Sequence, residues 1–184
     1  MPYVDVDRAI VAGASYGGYM VNWIAGQPLG KRFKAIISHD GIFSMYNMLS
    51  ADATETLIDD LQGTLWDKKE NWDRHDPAQY TQNWSTPMLV IHSDGDYRCP
   101  ITEGLAVYNV CQLRGIESRF LNFPDENHWV LKHENSLQWN MTVLGWANKY
   151  AHVKGKVELK PPLSDPKSRA SRKKSKCISR IGAS

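Results

Sequence analysis

The chain has 184 residues, of which 42% are hydrophobic and 23% are charged, as expected for a globular domain with a sizeable core. No apolar run reaches the roughly 20 residues that a membrane-spanning helix needs. Residues 1–8 lack the basic and apolar regions of a signal peptide, which favours a cytoplasmic chain unless its true amino terminus lies elsewhere.

The net charge of +2 is divided unevenly along the chain. Residues 1–153 hold 12 basic and 18 acidic side chains, whereas residues 154–184 hold 10 basic and 2 acidic ones. The second segment is poor in aromatic residues and cannot bury enough apolar surface to offset its ordering entropy. We therefore expect a folded domain over 1–153 and a disordered basic tail over 154–184. Such a tail could bind nucleic acid, but a solvated tail is the simpler interpretation and no nucleic-acid partner is expected.

The amino-terminal part predicts a strand, a helix and a second strand. Residues 9–12 form a short apolar run that ends at a glycine, as a buried parallel strand does. Apolar side chains at helical spacing follow over 20–24 and stop at a glycine and a proline. A second apolar run covers 33–38 and leads to Asp40.

The remainder alternates strands with helices after one excursion. Residues 42–86 predict a mostly helical excursion. Two further strands, over 87–92 and 119–123, are each followed by a helical pattern, over 105–113 and 137–150. Strands that alternate with helices predict a parallel sheet with helices on both faces.

The first predicted strand runs into Gly-Ala-Ser-Tyr-Gly over 13–17, which fits the pattern G-x-S-x-G at a strand-to-helix junction. In that motif the glycines allow a sharp turn in which the serine takes a strained backbone conformation and presents its hydroxyl to solvent. The sequence therefore predicts Ser15 as a nucleophile. The N–H of Tyr16, at the start of the following helix, is the expected oxyanion donor.

A serine nucleophile needs a base and an orienting acid, which this kind of fold supplies in the order Ser, Asp or Glu, His. Asp96 follows the third predicted strand and His128 follows the fourth. Both lie just past the carboxyl ends of strands, where sites of parallel sheets are built. We predict a triad of Ser15, Asp96 and His128.

Other acids and histidines compete for these roles. Asp40 and Asp94 also lie at strand ends, and the sequence separates Asp94 from Asp96 only weakly. His39 and His92 lie beside or within apolar runs and are expected to be structural. The remaining histidines have no strand end before them: His75, His133 and His152.

Three stretches together resemble the catalytic domain of the prolyl oligopeptidase family of serine peptidases. They are Gly-Ala-Ser-Tyr-Gly-Gly-Tyr over 13–19, His-Ser-Asp-Gly-Asp-Tyr-Arg-Cys-Pro over 92–100 and Phe-Pro-Asp-Glu-Asn-His-Trp over 123–129. The resemblance covers roughly residues 3–150. It implies an α/β-hydrolase fold, truncated to the carboxyl-terminal half of its mostly parallel sheet, with the basic tail appended.

The resemblance also implies an activity and further site residues. It implies a secreted serine exopeptidase that removes dipeptides from the amino termini of peptides, with the same triad. Arg98 matches a position that contacts substrate carbonyl or carboxylate groups, although a surface arginine in a turn explains it almost equally well. Four residues are candidates for the pocket of the side chain before the scissile bond, with core packing as the alternative: Ile42, Phe43, Met45 and Tyr46.

In the family's sheet order, residues 9–12 pair with a strand that would come from a portion absent from this sequence. The resemblance therefore implies an open apolar edge there, which favours pairing with another chain. Two other functions remain open: a carboxylesterase with the same triad, and a catalytically inactive fragment that acts as an interaction module. No cofactor or metal is expected, because the three cysteines lack the spacing of a zinc site. The sequence leaves open whether Cys99 and Cys111 form a disulfide.

Overall fold

Four strands form one parallel sheet in the computed structural model, which describes residues 5–152. They are β1 (Val11–Ala14), β2 (Ile36–His39), β3 (Met88–Ser93) and β4 (Ser118–Phe123), and they lie in this order across the sheet. Every neighbouring pair is parallel. The predicted parallel sheet is confirmed, whereas the predicted tail over 154–184 lies outside the described residues and the domain boundary at 153 stays a prediction.

The first two strands reach further along the chain than their apolar runs. β1 continues through Gly13 and Ala14, which pair with Ser38 and His39 of β2. The apolar run ends earlier because backbone hydrogen bonding between parallel strands needs no apolar side chain at these positions. The ladder therefore extends to the residue immediately before Ser15.

Helices cover both faces of the sheet. The described residues contain α1 (Tyr16–Ala25), α2 (Thr54–Asp60), α3 (Lys69–Arg74), α4 (Ile101–Leu113) and α5 (His133–Ala151), with short 3₁₀ helices between them. None of these helices combines the length and apolar character needed to cross a bilayer.

Successive side chains of β2 and β3 point to opposite faces and fill two cores. Ile36 and Met88 pack against Val21 of α1 and Val107 of α4. The alternate residues of the same two strands pack against Trp146 of α5; they are Ile37, Leu89 and Ile91. The apolar runs reflect this double burial, which is typical of parallel sheets.

The segment between β2 and β3 is the predicted helical excursion. Leu57 and Leu61 are buried there together with Trp72 and Met45, in a third cluster that also includes Tyr19 of α1. The excursion therefore lies over the beginning of α1, next to the serine.

The two cysteines of the described region are unpaired. Cys99 and Cys111 are both buried and free. Cys99 belongs to the cluster of the excursion, whereas Cys111 packs in the core between α4 and the sheet. The two thiols therefore do not form a disulfide in this structure.

Helix α1 and the loop after β2 approach each other at two glycines. A Cβ atom on Gly18 would lie 2.5 Å from Cα of Gly41, and one on Gly41 would lie 2.5 Å from the carbonyl carbon of Gly18. Real Cβ atoms do not come this close to backbone, so both positions require glycine. This contact fixes the helix that carries the serine against the loop that follows β2.

We expect Gly18→Ala to destabilise the fold, because its methyl group would force the two backbones apart. Overpacking of this kind costs roughly 1–3 kcal/mol. Gly17→Ala is the matched control, since a Cβ atom there meets nothing within 4 Å and lies in the same helix. Urea unfolding of the two variants measures the difference, and equal free energies of unfolding would contradict the backbone contact.

Candidate active site

Ser15 lies in a sharp turn between β1 and α1, with φ 56° and ψ −119°. A residue other than glycine adopts a positive φ only at a cost, which the surroundings must offset. The Ser15 N–H points at two oxygens of the neighbouring chain segment, the carbonyl of His39 at 3.1 Å and Oδ1 of Asp40 at 2.6 Å. A Cβ atom on Gly13 would overlap the carbonyl group of Gly17, so the first glycine of the motif provides the room for this turn.

His128 joins the serine to a carboxylate. Its Nε2 lies 3.0 Å from Oγ of Ser15, and its Nδ1 lies 2.8 Å from Oδ2 of Asp96. The hydrogen bond to Asp96 raises the pKa of the imidazole, as does the charge of Asp40, while partial burial acts in the opposite direction. The loop between β4 and α5 carries His128, so residues from the ends of β1, β3 and β4 meet at one edge of the sheet.

Asp96 is held in place by its own loop. Its Oδ1 accepts hydrogen bonds from the N–H groups of Arg98 and Cys99, both at 2.9 Å, which leaves Oδ2 for the imidazole. Burial alone would raise the pKa of Asp96, but the bonds from His128 and Cys99 outweigh it and hold the pKa below its ordinary value. The buried group is therefore a charged carboxylate with a fixed orientation.

The structure separates the two candidate acids of the turn after β3. Asp94 is exposed, and its Oδ1 accepts a hydrogen bond from Nδ2 of Asn122 at 2.8 Å. Of these two acids, Asp96 is the one whose carboxylate contacts the imidazole of His128. The sequence-based preference for Asp96 therefore agrees with the geometry.

The two histidines expected to be structural each have one ring nitrogen with a hydrogen-bond partner, and His92 is fully buried while His39 is mostly so. His39 Nδ1 lies 3.3 Å from the indole N–H of Trp139, and burial lowers the pKa of His39 to about 4. Nε2 of His92 lies 2.7 Å from the carbonyl oxygen of Cys99, and burial lowers its pKa as well. Both imidazoles are neutral at ordinary pH.

Tyr16 opens α1, directly after the serine. The first N–H groups of a helix have no acceptor within the helix, and the helix dipole makes this end favourable for negative charge. An oxyanion that forms on a carbonyl bound at Ser15 can therefore accept a hydrogen bond from the Tyr16 N–H.

Two cavities adjoin Ser15 and Tyr16. A cleft of about 470 Å³ includes Ser15, Arg98 and His128, together with Asp52, Tyr97, Asn127 and Trp129. Nε of Arg98 lies 3.0 Å from Oδ1 of Asp52, and both side chains are about half exposed. A second, more apolar cavity of about 440 Å³ is lined by Tyr16 and by the following residues: Tyr19, Ile42, Met45, Leu57, Asp60, Leu61 and His75.

The four candidate pocket residues do not lie together. Ile42 and Met45 line the apolar cavity beside Tyr16. Phe43 instead packs against Trp84 in the core, because the chain after β2 turns its side chain away from the cavity. The hydroxyl group of Tyr46 binds Asp73, beside a different surface depression.

Sequence reasoning missed the contribution of the excursion to the apolar cavity. Leu57 and Leu61 of the excursion line this cavity together with Tyr16 and Tyr19, and no sequence pattern indicates that these segments meet. It also treated Asp40 only as a rival acid, whereas its Oδ2 lies 3.6 Å from Nδ1 of His128. Packing between distant segments decides both placements.

Within residues 5–152, one group of side chains has a spacing that suits a metal ion, with ligand atoms within 4.8 Å of one another: Asp40, Asp96 and His128. The same atoms orient the imidazole toward Ser15. The expectation of no metal and no cofactor stays a prediction.

Comparison with known proteins decides the family. The model of the prolyl oligopeptidase family matches residues 1–154. The chain belongs to the prolyl oligopeptidase family.

Curated proteins and solved structures that are similar to this chain agree with the family and with the fold. Dipeptidyl-peptidase 5 of Aspergillus fumigatus is 53% identical over 155 residues, which are 83% of this chain and 22% of that protein. Dipeptidyl-peptidase 5 of Arthroderma otae is 47% identical over 91% of this chain and 23% of its own length. The acylaminoacyl peptidase of Pyrococcus horikoshii superposes with a TM-score of 0.74 at 28% identity, over 84% of this chain and 26% of that one.

This prolyl oligopeptidase family chain spans about a fifth of the length of the curated relatives it matches. Structural neighbours of the chain are α/β-hydrolase peptidases, and the parallel sheet with helices on both faces confirms the predicted fold class as part of that fold. The expected family resemblance is confirmed as well.

In this family member we expect Asp96→Asn to lower the pKa of His128, because the variant removes the carboxylate that stabilises the imidazolium. Asp94→Asn is the matched control, since it makes the same chemical change two residues away without contact to His128. An NMR titration of the imidazole C2–H signals measures both. Equal shifts in the two variants would contradict the assignment of Asp96.

Proposed function

We propose that the chain is the catalytic part of a serine peptidase that cleaves peptides near their amino termini and releases dipeptides. The single observation that carries this proposal is the continuous line of contacts from Ser15 through His128 to Asp96. The names of the relatives, dipeptidyl-peptidase 5, support the dipeptide as the released unit. An acylaminoacyl peptidase with a TM-score of 0.75 was solved with Z-Gly-Gly-Phe-chloromethyl ketone, a peptide-like compound.

The geometry supports an acyl-enzyme mechanism. Oγ of Ser15 attacks the scissile carbonyl carbon, and its proton passes to Nε2 of His128. The imidazolium then gives this proton to the leaving amine as the carbon–nitrogen bond breaks. A water molecule, activated by the same nitrogen, hydrolyses the ester and returns the proton to Ser15.

Asp96 and Tyr16 stabilise the charges that these steps create. Asp96 fixes the proton of neutral His128 on Nδ1, so Nε2 is free to accept, and its charge stabilises the imidazolium. We assign the N–H of Tyr16 as a donor to the tetrahedral oxyanion, because it opens α1 directly after Ser15. Loss of one such donor costs on the order of 10²- to 10³-fold in turnover.

The two cavities suggest where a peptide binds. We assign the side chain before the scissile bond to the apolar cavity of Ile42 and Met45, which opens beside Tyr16. Arg98 borders the adjoining cleft with its guanidinium group half exposed, where it can bind a carbonyl or carboxylate group of the peptide. Phe43 and Tyr46 are not part of this assignment.

Other parts of the sequence-based interpretation stay predictions. β1 is the outer strand of the described sheet, and Ala12 and Ala14 are exposed on it, which supports self-association through this edge. Secretion rests on the family resemblance alone. An esterase would use the same triad, but the names of the relatives favour a peptidase.

Ser15→Ala should abolish labelling by a fluorophosphonate probe and lower turnover of dipeptidyl anilides by on the order of 10⁶-fold, because it removes the attacking oxygen. Ser50→Ala, which changes an exposed hydroxyl outside both cavities, is the control and should keep both properties. Intact-mass measurement after labelling gives the result. Undiminished labelling of the Ser15 variant would overturn the proposed nucleophile.

A further inference from the structure

We propose that Asp40 is a positioning residue, whose carboxylate holds the Ser15 peptide group in the turn and gives the His128 imidazolium a second counter-charge beside Asp96. The inference rests on the proposed function of Ser15 and His128. Asp40 is a buried acid, with only 3% of its surface exposed. The mechanism above gives it no role.

Asp40 contacts the backbone of the nucleophile. Oδ1 of Asp40 lies 2.6 Å from the backbone N of Ser15 and accepts its N–H. This N–H belongs to the residue with φ 56°, so the bond stabilises the conformation in which the hydroxyl reaches His128. Asp40 itself has φ 40°, a region that Asp and Asn tolerate better than most residues, and this turn directs its side chain back toward Ser15.

Asp40 also lies close to the base, His128. Oδ2 of Asp40 lies 3.6 Å from Nδ1 of His128, on the same nitrogen that Oδ2 of Asp96 approaches to 2.8 Å. The imidazole thus faces one carboxylate in hydrogen-bond contact and a second just beyond it. When Nε2 takes the proton of Ser15, the positive charge forms between two acids.

The imidazole of His39 also lies beside the carboxylate of Asp40. Nδ1 of His39 accepts from the indole N–H of Trp139, which only donates, so neutral His39 carries its proton on Nε2. That nitrogen lies 3.4 Å from Oδ2 of Asp40. The carboxylate of Asp40 therefore accepts the N–H of Ser15, and it lies near the imidazoles of His39 and His128 without a hydrogen bond to Nε2 of His39.

The charged groups around Asp40 and His128 determine the pKa values that a pH titration of the site measures. Asp40 faces His39 from β2, His128 from the loop after β4 and Asp96 from the turn after β3, and Arg98 acts on His128 from the cleft side. Burial raises the pKa of Asp40 to about 6, and the charge of Asp96 adds to it, against His128 and the Ser15 N–H. Asp40 is thus mostly ionised above pH 6, where it raises the pKa of His128.

Asp40→Asn is the informative variant. Asn keeps an oxygen for the Ser15 N–H and tolerates the same backbone conformation, but it carries no charge. Without that charge the pKa of His128 falls, so the basic form of the imidazole persists to lower pH. The imidazolium of the transition state is also less stable, so the maximal rate falls.

Two changes are therefore expected in the pH profile of dipeptidyl anilide cleavage. The acidic limb of the kcat profile moves to lower pH by roughly 1 unit, and the plateau falls by roughly tenfold, with KM nearly unchanged. A merely structural role would lower the activity without moving the limb. A folded variant whose limb stays at the wild-type pH would overturn the proposal.

An NMR titration of His128 separates this proposal from the proposed function, since it needs no turnover. The pKa of His128 should fall in Asp40→Asn and stay unchanged in Asp76→Asn, which alters another buried carboxylate that accepts backbone N–H groups but does not contact His128. If the wild type fails to react at Ser15, the proposed function fails, and the titration still decides the role of Asp40.

The wild-type curve provides a second test that does not depend on the folding of a variant. Two carboxylates beside Nδ1 should hold the pKa of His128 above the ordinary value of an imidazole. A wild-type pKa at or below that value would overturn the second counter-charge even if Asp40→Asn does not fold.

Discussion

The backbone of Ser15 adopts a conformation that its own residue type disfavours, and the rest of the site depends on holding it there. A positive φ at a non-glycine residue costs on the order of 1–3 kcal/mol, which neighbouring structure must offset. The pairing of β1 with β2 continues up to this residue, and the glycine contact between α1 and the loop after β2 fixes the helix behind it. The sheet and the helix together thus place one hydroxyl within 3.0 Å of an imidazole that is 113 residues away in the chain.

The parallel sheet explains why residues so distant in sequence converge. All four strands run in the same direction, so the loops after β1, β2, β3 and β4 leave from one edge and bring Ser15, Asp40, Asp96 and His128 together. The two acids then take different parts. Asp96, held by two backbone N–H groups, fixes the imidazole, while Asp40 binds the turn of the nucleophile and lies at the periphery of the same imidazole. A displacement of β2 would therefore alter both the nucleophile and its base.

The sequence predicted those features that short patterns encode, and failed where distant packing decides. The apolar runs predicted the four strands, and G-x-S-x-G with the order of acid and histidine pointed to Ser15, Asp96 and His128. The ends of β1 and β2 were misplaced because strand pairing, rather than apolar character, extends them. Phe43 and Met45 are similar in sequence context, yet one faces the core and the other a cavity, since the direction of the loop after β2 depends on α1. The contact of Asp40 with Ser15 likewise had no local signal beyond its position at a strand end.

The central claim is that Ser15 attacks a carbonyl whose oxyanion lies at the start of α1, and a crystal structure of the fluorophosphonate adduct tests it most directly. The phosphorus stands in for the tetrahedral carbon, so its bond to a side chain identifies the nucleophile. The account predicts a bond to Oγ of Ser15 and a phosphonyl oxygen about 3 Å from the backbone N of Tyr16. An adduct on another residue, or a phosphonyl oxygen directed away from Tyr16, would contradict it.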